Sequence, residues 1–264
     1  MTDQILSTPL APLLTALDSR GVATLVFNRP EKGNSYNQAL LDALHQEFTR
    51  LGADPAVRVI VLRGTGKHFS AGAEVGGEHG AADGKPKVTI PSLCLAVDGT
   101  PKPVVAFVHG ACIGGAVAMI SCCDIVIATE IAFFSMPEVR LGFAPGPLIA
   151  FFLRAMGARS LRRYLLSGER FTAAEALRIG LIHQLCPVQD GEAVLSKAID
   201  EVLQAGPNAT AHAKGLLRRL TNVPISPELL AELQADFDQR FNSEEANEGR
   251  ASFREKRKPK WYPT

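Results

Sequence analysis

Apolar residues along this chain recur in two distinct periods. Residues 21–27 (GVATLVF) form a β-branched apolar run that stops at Asn28-Arg29-Pro30, the pattern of a strand closed by a turn. From Tyr36 onward Leu40, Leu41, Leu44, Phe48 and Leu51 fall at helical spacing, which predicts an amphipathic helix with Asn34, Ser35 or Asn37 as its N-cap. Residues 57–62 (VRVIVL) predict a second strand, and residues 103–108 and 125–128 predict two more, each near a glycine-bearing loop and a helical pattern. This alternation implies an α/β architecture. After Gly180 the period is helical throughout, with helices predicted over 193–205, 209–220 and 227–241 and breaks at Gly206-Pro207 and Pro224. Residues 75–91, rich in Gly, Lys and Asp, are predicted to form a mobile loop.

Composition narrows the function classes. With 264 residues and 46% apolar content, the chain can bury the core of one large domain with a helical appendage. Its 28 Lys and Arg against 27 Asp and Glu give a net charge of +1, so no general attraction to nucleic acid or anionic membrane is expected. The five cysteines are odd in number and lack C-x-x-C spacing, which predicts free thiols in a reducing compartment and neither a disulfide framework nor a metal site. The N-terminal stretch has no basic n-region and is interrupted by Pro9 and Pro12, and no apolar run reaches membrane-spanning length, so a cytoplasmic location is expected. Cations cluster only at residues 250–260, where Arg250, Arg254, Lys256, Arg257, Lys258 and Lys260 face Glu255 alone. That segment is either a solvated tail or a local anion-binding patch.

Two small-residue loops follow predicted strands, residues 67–74 (KHFSAGAE) and 109–115 (HGACIGG). Neither matches a phosphate-binding loop, since Gly64-x-Gly66-Lys67 lacks a following Ser or Thr and no G-x-G-x-x-G stands between a strand and a helix. No G-x-S-x-G elbow exists, which removes the serine-hydrolase reading. What remains are turns where backbone approaches a ligand closely, the second opening an apolar run over 116–123 that reads as a helix. Glu138, directly after Pro137 and among Phe133, Phe134, Met136 and Val139, is the third element. Taken alone it reads as a carboxylate that is solvated or paired with Arg140, not as a catalytic group.

In this order the elements resemble the crotonase (enoyl-CoA hydratase/isomerase) superfamily over nearly the whole chain. The resemblance rests on Asn28-Arg29-Pro30-Glu31-Lys32-x-Asn34-Ser35, Phe69-Ser70-Ala71-Gly72-Ala73-Glu74, His109-Gly110 to Gly115, Cys123-Asp124-Ile125, Pro137-Glu138-x-x-Leu141-Gly142, Leu166-Ser167-Gly168-Glu169-Arg170 and the terminal Phe253-Arg254-Glu255-Lys256-Arg257. It implies a ββα spiral core over residues 1–200, carrying a CoA thioester site, and a C-terminal helical region over 201–264 that makes a homotrimer or a hexamer built as a dimer of trimers. By the same resemblance the amides of Ala71 and Gly115 stabilise a thioester enolate, and Glu138 moves the proton. Arg29, Lys32, Ala71, Gly72, Ala73, Glu74, Gly115, Phe253 and Lys256 fall on the substrate and CoA surface, with the terminal residues acting in this or a neighbouring subunit. No cofactor is implied, because coenzyme A is part of the substrate.

One departure shapes the expected chemistry. Hydratases with two catalytic carboxylates carry a glutamate three residues past the glycine matched by Gly115, and here that position is Ala118. The family's G-G-T-Q-R-L segment is likewise replaced by Leu148-Ile149-Ala150-Phe151-Phe152-Leu153, which implies a different acyl pocket. The chain resembles methylglutaconyl-CoA and isohexenylglutaconyl-CoA hydratases, which points to hydration of a branched or carboxylated enoyl-CoA. The alternative is an enoyl-CoA isomerase in which one Glu shuttles a proton between C2 and C4. RNA binding through the cationic tail is the reading from another class; apart from Phe253, Trp261 and Tyr262 the tail has no interleaved aromatics.

Overall fold

The computed structural model describes residues 11–74 and 87–263. The predicted strands become the spine of a larger sheet. Leu13–Leu17 (β1) pairs antiparallel with Val22–Phe27 (β2), and from β2 the pairing is parallel to Val59–Gly64 (β3), Val104–Val108 (β4), Ile125–Thr129 (β6) and Gln184–Cys186 (β9). A smaller sheet sets Ala111–Ile113 (β5) beside Phe133–Ser135 (β7), which pairs antiparallel with Phe171–Thr172 (β8). The architecture is mixed α/β, as the sequence predicts.

Alternation along the central strands explains why both faces of the large sheet are covered. Val59, Val61, Val105, Phe107 and Ile127 face Gly191–Gln204 (α6) and pack against its Leu195, Ile199 and Leu203. Ile60, Leu62, Val104, Ala106, Val108 and Val126 point the other way, into the main core. That core is filled by Gln38–Ala53 (α1), which contributes Leu40, Leu41, Leu44, Phe48 and Leu51, and by Ile90–Gly99 (α2), Gly115–Ile120 (α3) and Leu148–Ser167 (α4). Parallel strands buried on both faces carry near-continuous apolar runs, which is why 57–62 and 103–108 are legible as strands.

Asn37 supplies the cap of α1, its side chain accepting from the Leu40 amide. The mobile-loop expectation for 75–91 is corrected at its end. Residues 75–86 lie outside the described residues, but Pro91 sits inside α2, whose N-terminus is fixed by a capping box in which Thr89 and Ser92 bond each other's backbone amides. Ala173–Arg178 (α5) connects β8 toward β9, and beyond α6 the chain continues as Pro207–Leu220 (α7) and Pro227–Phe241 (α8). The cationic tail is more ordered than its composition implies. Glu244–Glu255 (α9) is a helix capped by Ser243, and Arg257 folds back onto Glu248 and Glu255. No helix among the described residues is long and apolar enough to cross a membrane.

Candidate active site

The two small-residue loops run side by side because their backbones are hydrogen-bonded to one another. Phe69 N donates to His109 O (2.8 Å), Ser70 N to Ala111 O (2.9 Å), and Ile113 N to Ser70 O (3.1 Å). His68 adds a side-chain link, its Nδ1 accepting from the Ala111 amide at 3.1 Å. Burial and the nearby Lys67 and His109 depress the His68 pKa, which keeps the ring neutral and able to accept that bond.

Asn34 ties the first turn of the chain to the same place. It is fully buried, its Nδ2 donates to Thr65 O (2.8 Å) and His68 O (2.7 Å), and its Oδ1 accepts from Arg29 N (2.9 Å). Its φ of 55° lies in the left-handed region, which asparagine tolerates better than most residues. Asn34 is therefore no helix cap but the joint between three loops. Asn34→Ala removes three buried hydrogen bonds worth about 1 kcal/mol each, so an unfolding free energy lower by roughly 3 kcal/mol is expected in a urea titration.

Arg29, expected at the substrate surface, is committed to holding the loops. Its guanidinium donates to Glu74 Oε2 (2.8 Å) and to Ser35 O (2.6 Å). Tyr36 lies directly between the loops, its amide donating to Gly72 O (2.9 Å) and its carbonyl accepting from Glu74 N (3.0 Å).

The amide expected at Ala71 is a correction. Ala71 N donates to Gly33 O at 2.9 Å, so it is spent on the turn and unavailable to a ligand. Two residues on, the Ala73 amide has no acceptor among the described residues, because a parallel bridge to Tyr36 engages only the groups of Gly72 and Glu74. Ala73 is exposed and lines a cavity of about 1010 Å³, whereas Ala71 lies outside that lining.

Gly115 opens α3, so its amide has no intrahelical partner. Glu138 lies in the short turn Pro137–Leu141 and faces the same cavity. It is 9% exposed, its Oε2 has no hydrogen-bond partner, and burial raises its pKa above the usual carboxylate value, opposed by its own backbone amide. Arg140 does not pair with it; Arg140 Nε donates to Ser167 O at 2.8 Å. An unpaired buried carboxylate at the wall of a cavity, beside the uncommitted Ala73 amide and the start of the helix that carries the Gly115 amide, is an arrangement suited to proton transfer next to a thioester carbonyl.

The cavity is lined on its apolar side by Leu41, Val88, Ile90, Phe143, Pro145 and Leu148, and on its polar side by Tyr36, Gln38, Glu74, Lys87 and Glu138. Of the segment 148–153, Leu148 alone reaches it, while Phe152 is fully buried in the core. Lys32, Phe253 and Lys256 are outside the lining and exposed, Phe253 at 86%. Tyr36 is the residue that sequence reasoning passed over, because its position at the start of a helical pattern suggested only packing.

The Enoyl-CoA hydratase/isomerase family model matches residues 18–263. This chain belongs to that family. It is 31% identical over 92% of its length to the probable enoyl-CoA hydratase echA6 of Mycobacterium tuberculosis, covering 96% of that protein. It is 29% identical to the mevalonyl-coenzyme A hydratase sidH of Aspergillus fumigatus, over 95% of both chains. The crystal structure of an enoyl-CoA hydratase from Shewanella pealeana superposes with a TM-score of 0.87 at 33% identity, over 96% of each chain. The chain is thus an acyl-CoA enzyme of the enoyl-CoA hydratase/isomerase type with the crotonase fold.

Proposed function

We propose that the protein hydrates a branched or carboxylated enoyl-CoA of the glutaconyl type, using the Ala73 and Gly115 amides to stabilise a thioester enolate and Glu138 as its one acid/base carboxylate. The observation that carries this reading is the unpaired, buried Glu138 on the cavity wall with Ala73, its Oε1 close against Gly114, the residue before the Gly115 amide. Negative charge develops on the thioester oxygen as the nucleophile adds at C3, and each amide aimed there contributes about 3 kcal/mol of transition-state stabilisation. Glu138 starts as the carboxylate, takes the proton that the adding water loses and delivers it to C2, and its raised pKa suits both halves of the transfer.

Support for the acyl class comes from the cavity and from one relative. Phe143, Pro145 and Leu148 suit a branched alkyl portion. The sidH relative is described as acting on mevalonyl-coenzyme A, itself a branched, oxygen-bearing acyl group.

The exposed apolar residues of the last helices, Leu217, Leu230, Phe237 and Phe241, suit burial against other subunits, so residues 201–264 act as the trimerisation region. Phe253 and Lys256 then meet the CoA nucleotide of a neighbouring protomer, and the protein works without a cofactor. A second reading, isomerisation, is favoured by Ala118 in place of a second carboxylate.

Incubating the enzyme with a panel of straight, branched and carboxylated enoyl-CoA esters in ¹⁸O-labelled water separates the two. Label in the product of a branched or carboxylated ester is the expected result. An unlabelled positional isomer would replace hydration with isomerisation, and no turnover of any ester would remove the enolate reading.

A further inference from the structure

Gly115 has no room for a side chain on one side, and what fills the space is a hydroxyl. A Cβ built at Gly115 would meet Tyr36 Oη at 2.4 Å and Ile90 Cγ1 at 3.1 Å. Positions i and i+3 share a helix face, so the Tyr36 hydroxyl lies against the face of α3 that also presents position 118. In the two-carboxylate hydratases that face carries a glutamate; here Ala118 leaves it bare and fully buried.

The backbone of Tyr36 is fixed on both sides by its bonds to Gly72 and Glu74, the residues flanking Ala73. Its side chain therefore reaches from one amide-bearing loop to the other, and it lines the cavity together with Ala73 and Glu138. The hydroxyl makes no aligned hydrogen bond to another described side chain. It feels the charge of Glu138 and the Gly115 amide, which acts on it as a backbone donor. The hydroxyl thus stands against the glycine whose amide the enolate reading uses.

Resting on the enolate reading above, we infer that the Tyr36 hydroxyl is a third, side-chain donor to the thioester oxygen, supplementing the amides of Ala73 and Gly115. In the transition state the O–H bond stays intact and donates to the enolate oxygen, while Glu138 alone moves the proton at C2. A donor of this kind must remain protonated. Burial, then the charge of Glu138, raise the Tyr36 pKa above its ordinary value against the opposing pull of the Gly115 amide, so the phenol stays neutral across the working pH range. The loss of the second carboxylate is offset by stronger polarisation of the carbonyl.

The test uses 4-dimethylaminocinnamoyl-CoA, a chromophoric enoyl thioester, bound to the full-length protein and to Tyr36→Phe, with the thioester C=O stretch read by infrared difference spectroscopy. The expected result is binding within about 3-fold of the parent, a clearly smaller downshift of the C=O stretch, and turnover of the best enoyl-CoA reduced about 10²-fold at similar KM. Replacing Tyr36 with 3-fluorotyrosine keeps the shape, strengthens the donor and should enlarge the downshift. An identical C=O stretch in parent and both variants overturns the role of Tyr36 and leaves the enolate reading standing. A parent that does not bind the probe, or binds it with an unshifted carbonyl, overturns both.

Discussion

Glu138→Gln is expected to lower turnover by about 10²-fold to 10⁴-fold while leaving CoA-ester binding largely intact. Glutamine preserves the shape of the side chain and removes the one carboxylate among the described residues that stands on the cavity wall with Ala73 and has a buried oxygen without a partner. The same substitution should raise thermal stability at neutral pH. Burial holds the Glu138 pKa above its unfolded value, so the folded protein retains this proton at pH values where the unfolded chain has lost it. Stability from this group is therefore fully present below the unfolded pKa and is lost as pH rises through the folded one. Glutamine cannot ionise, so the melting-temperature gap between variant and parent should widen from pH 4 toward pH 8. Parent kcat/KM should rise over the same interval, with a midpoint above the usual carboxylate range, because the base form is the active one. A Gln variant that turns over at the parent rate would assign the chemistry to another residue. A constant melting-temperature gap would mean that Glu138 is not desolvated.

The sequence made the scaffold legible where burial imposed a period. The strands over 57–62 and 103–108 and the stripe from Leu40 to Leu51 follow from side chains that must enter one core, and α8 falls at its predicted bounds, Pro227–Phe241. Glu138 was singled out by the motif order, and it lines one cavity with Ala73. Local hydrogen bonding was not legible. Which of Ala71 and Ala73 turns its amide toward the cavity depends on the Gly33 carbonyl, thirty-eight residues away along the chain, and Arg29 looks like a ligand contact until Glu74 is seen to claim it. Asn34 and Tyr36 were hidden for a related reason. Asn34 sits in a turn and Tyr36 in an isolated bridge, where neither helical nor strand period marks the side chain, and each acts through contacts with loops distant in sequence. Glu244–Glu255 was obscured by its charge, since a helix whose acidic residues pair with cations beyond its own end reads in sequence as a solvated tail.

Gly114→Ala should abolish most activity through Glu138 without touching any group that performs chemistry. Gly114 adopts φ 58° and ψ −124°, a conformation in which a residue with a side chain is strained by about 1–3 kcal/mol. Its amide is anchored to Ser135 O at 2.8 Å, so the backbone cannot readily rotate to relieve that strain. A Cβ there would stand 2.9 Å from Glu138 Oε1 and 3.7 Å from its Cδ, which forces the carboxylate aside. Displacement of a catalytic group by about 1 Å is enough for a 10²-fold loss in rate. Turnover of Gly114→Ala should therefore fall by roughly that factor, with stability reduced only by the strain. The decisive measurement is the Gly114→Ala/Glu138→Gln double variant. If the alanine acts by moving Glu138, the double variant should be barely slower than Glu138→Gln alone, because the group being displaced has already lost its function. Two losses that multiply would show that Gly114 shapes the neighbouring Gly115 amide instead. Adding Tyr36→Phe to Glu138→Gln should behave in the opposite way, the defects multiplying, because a donor to the thioester oxygen and the group that delivers the proton to C2 act on different atoms of the same transition state.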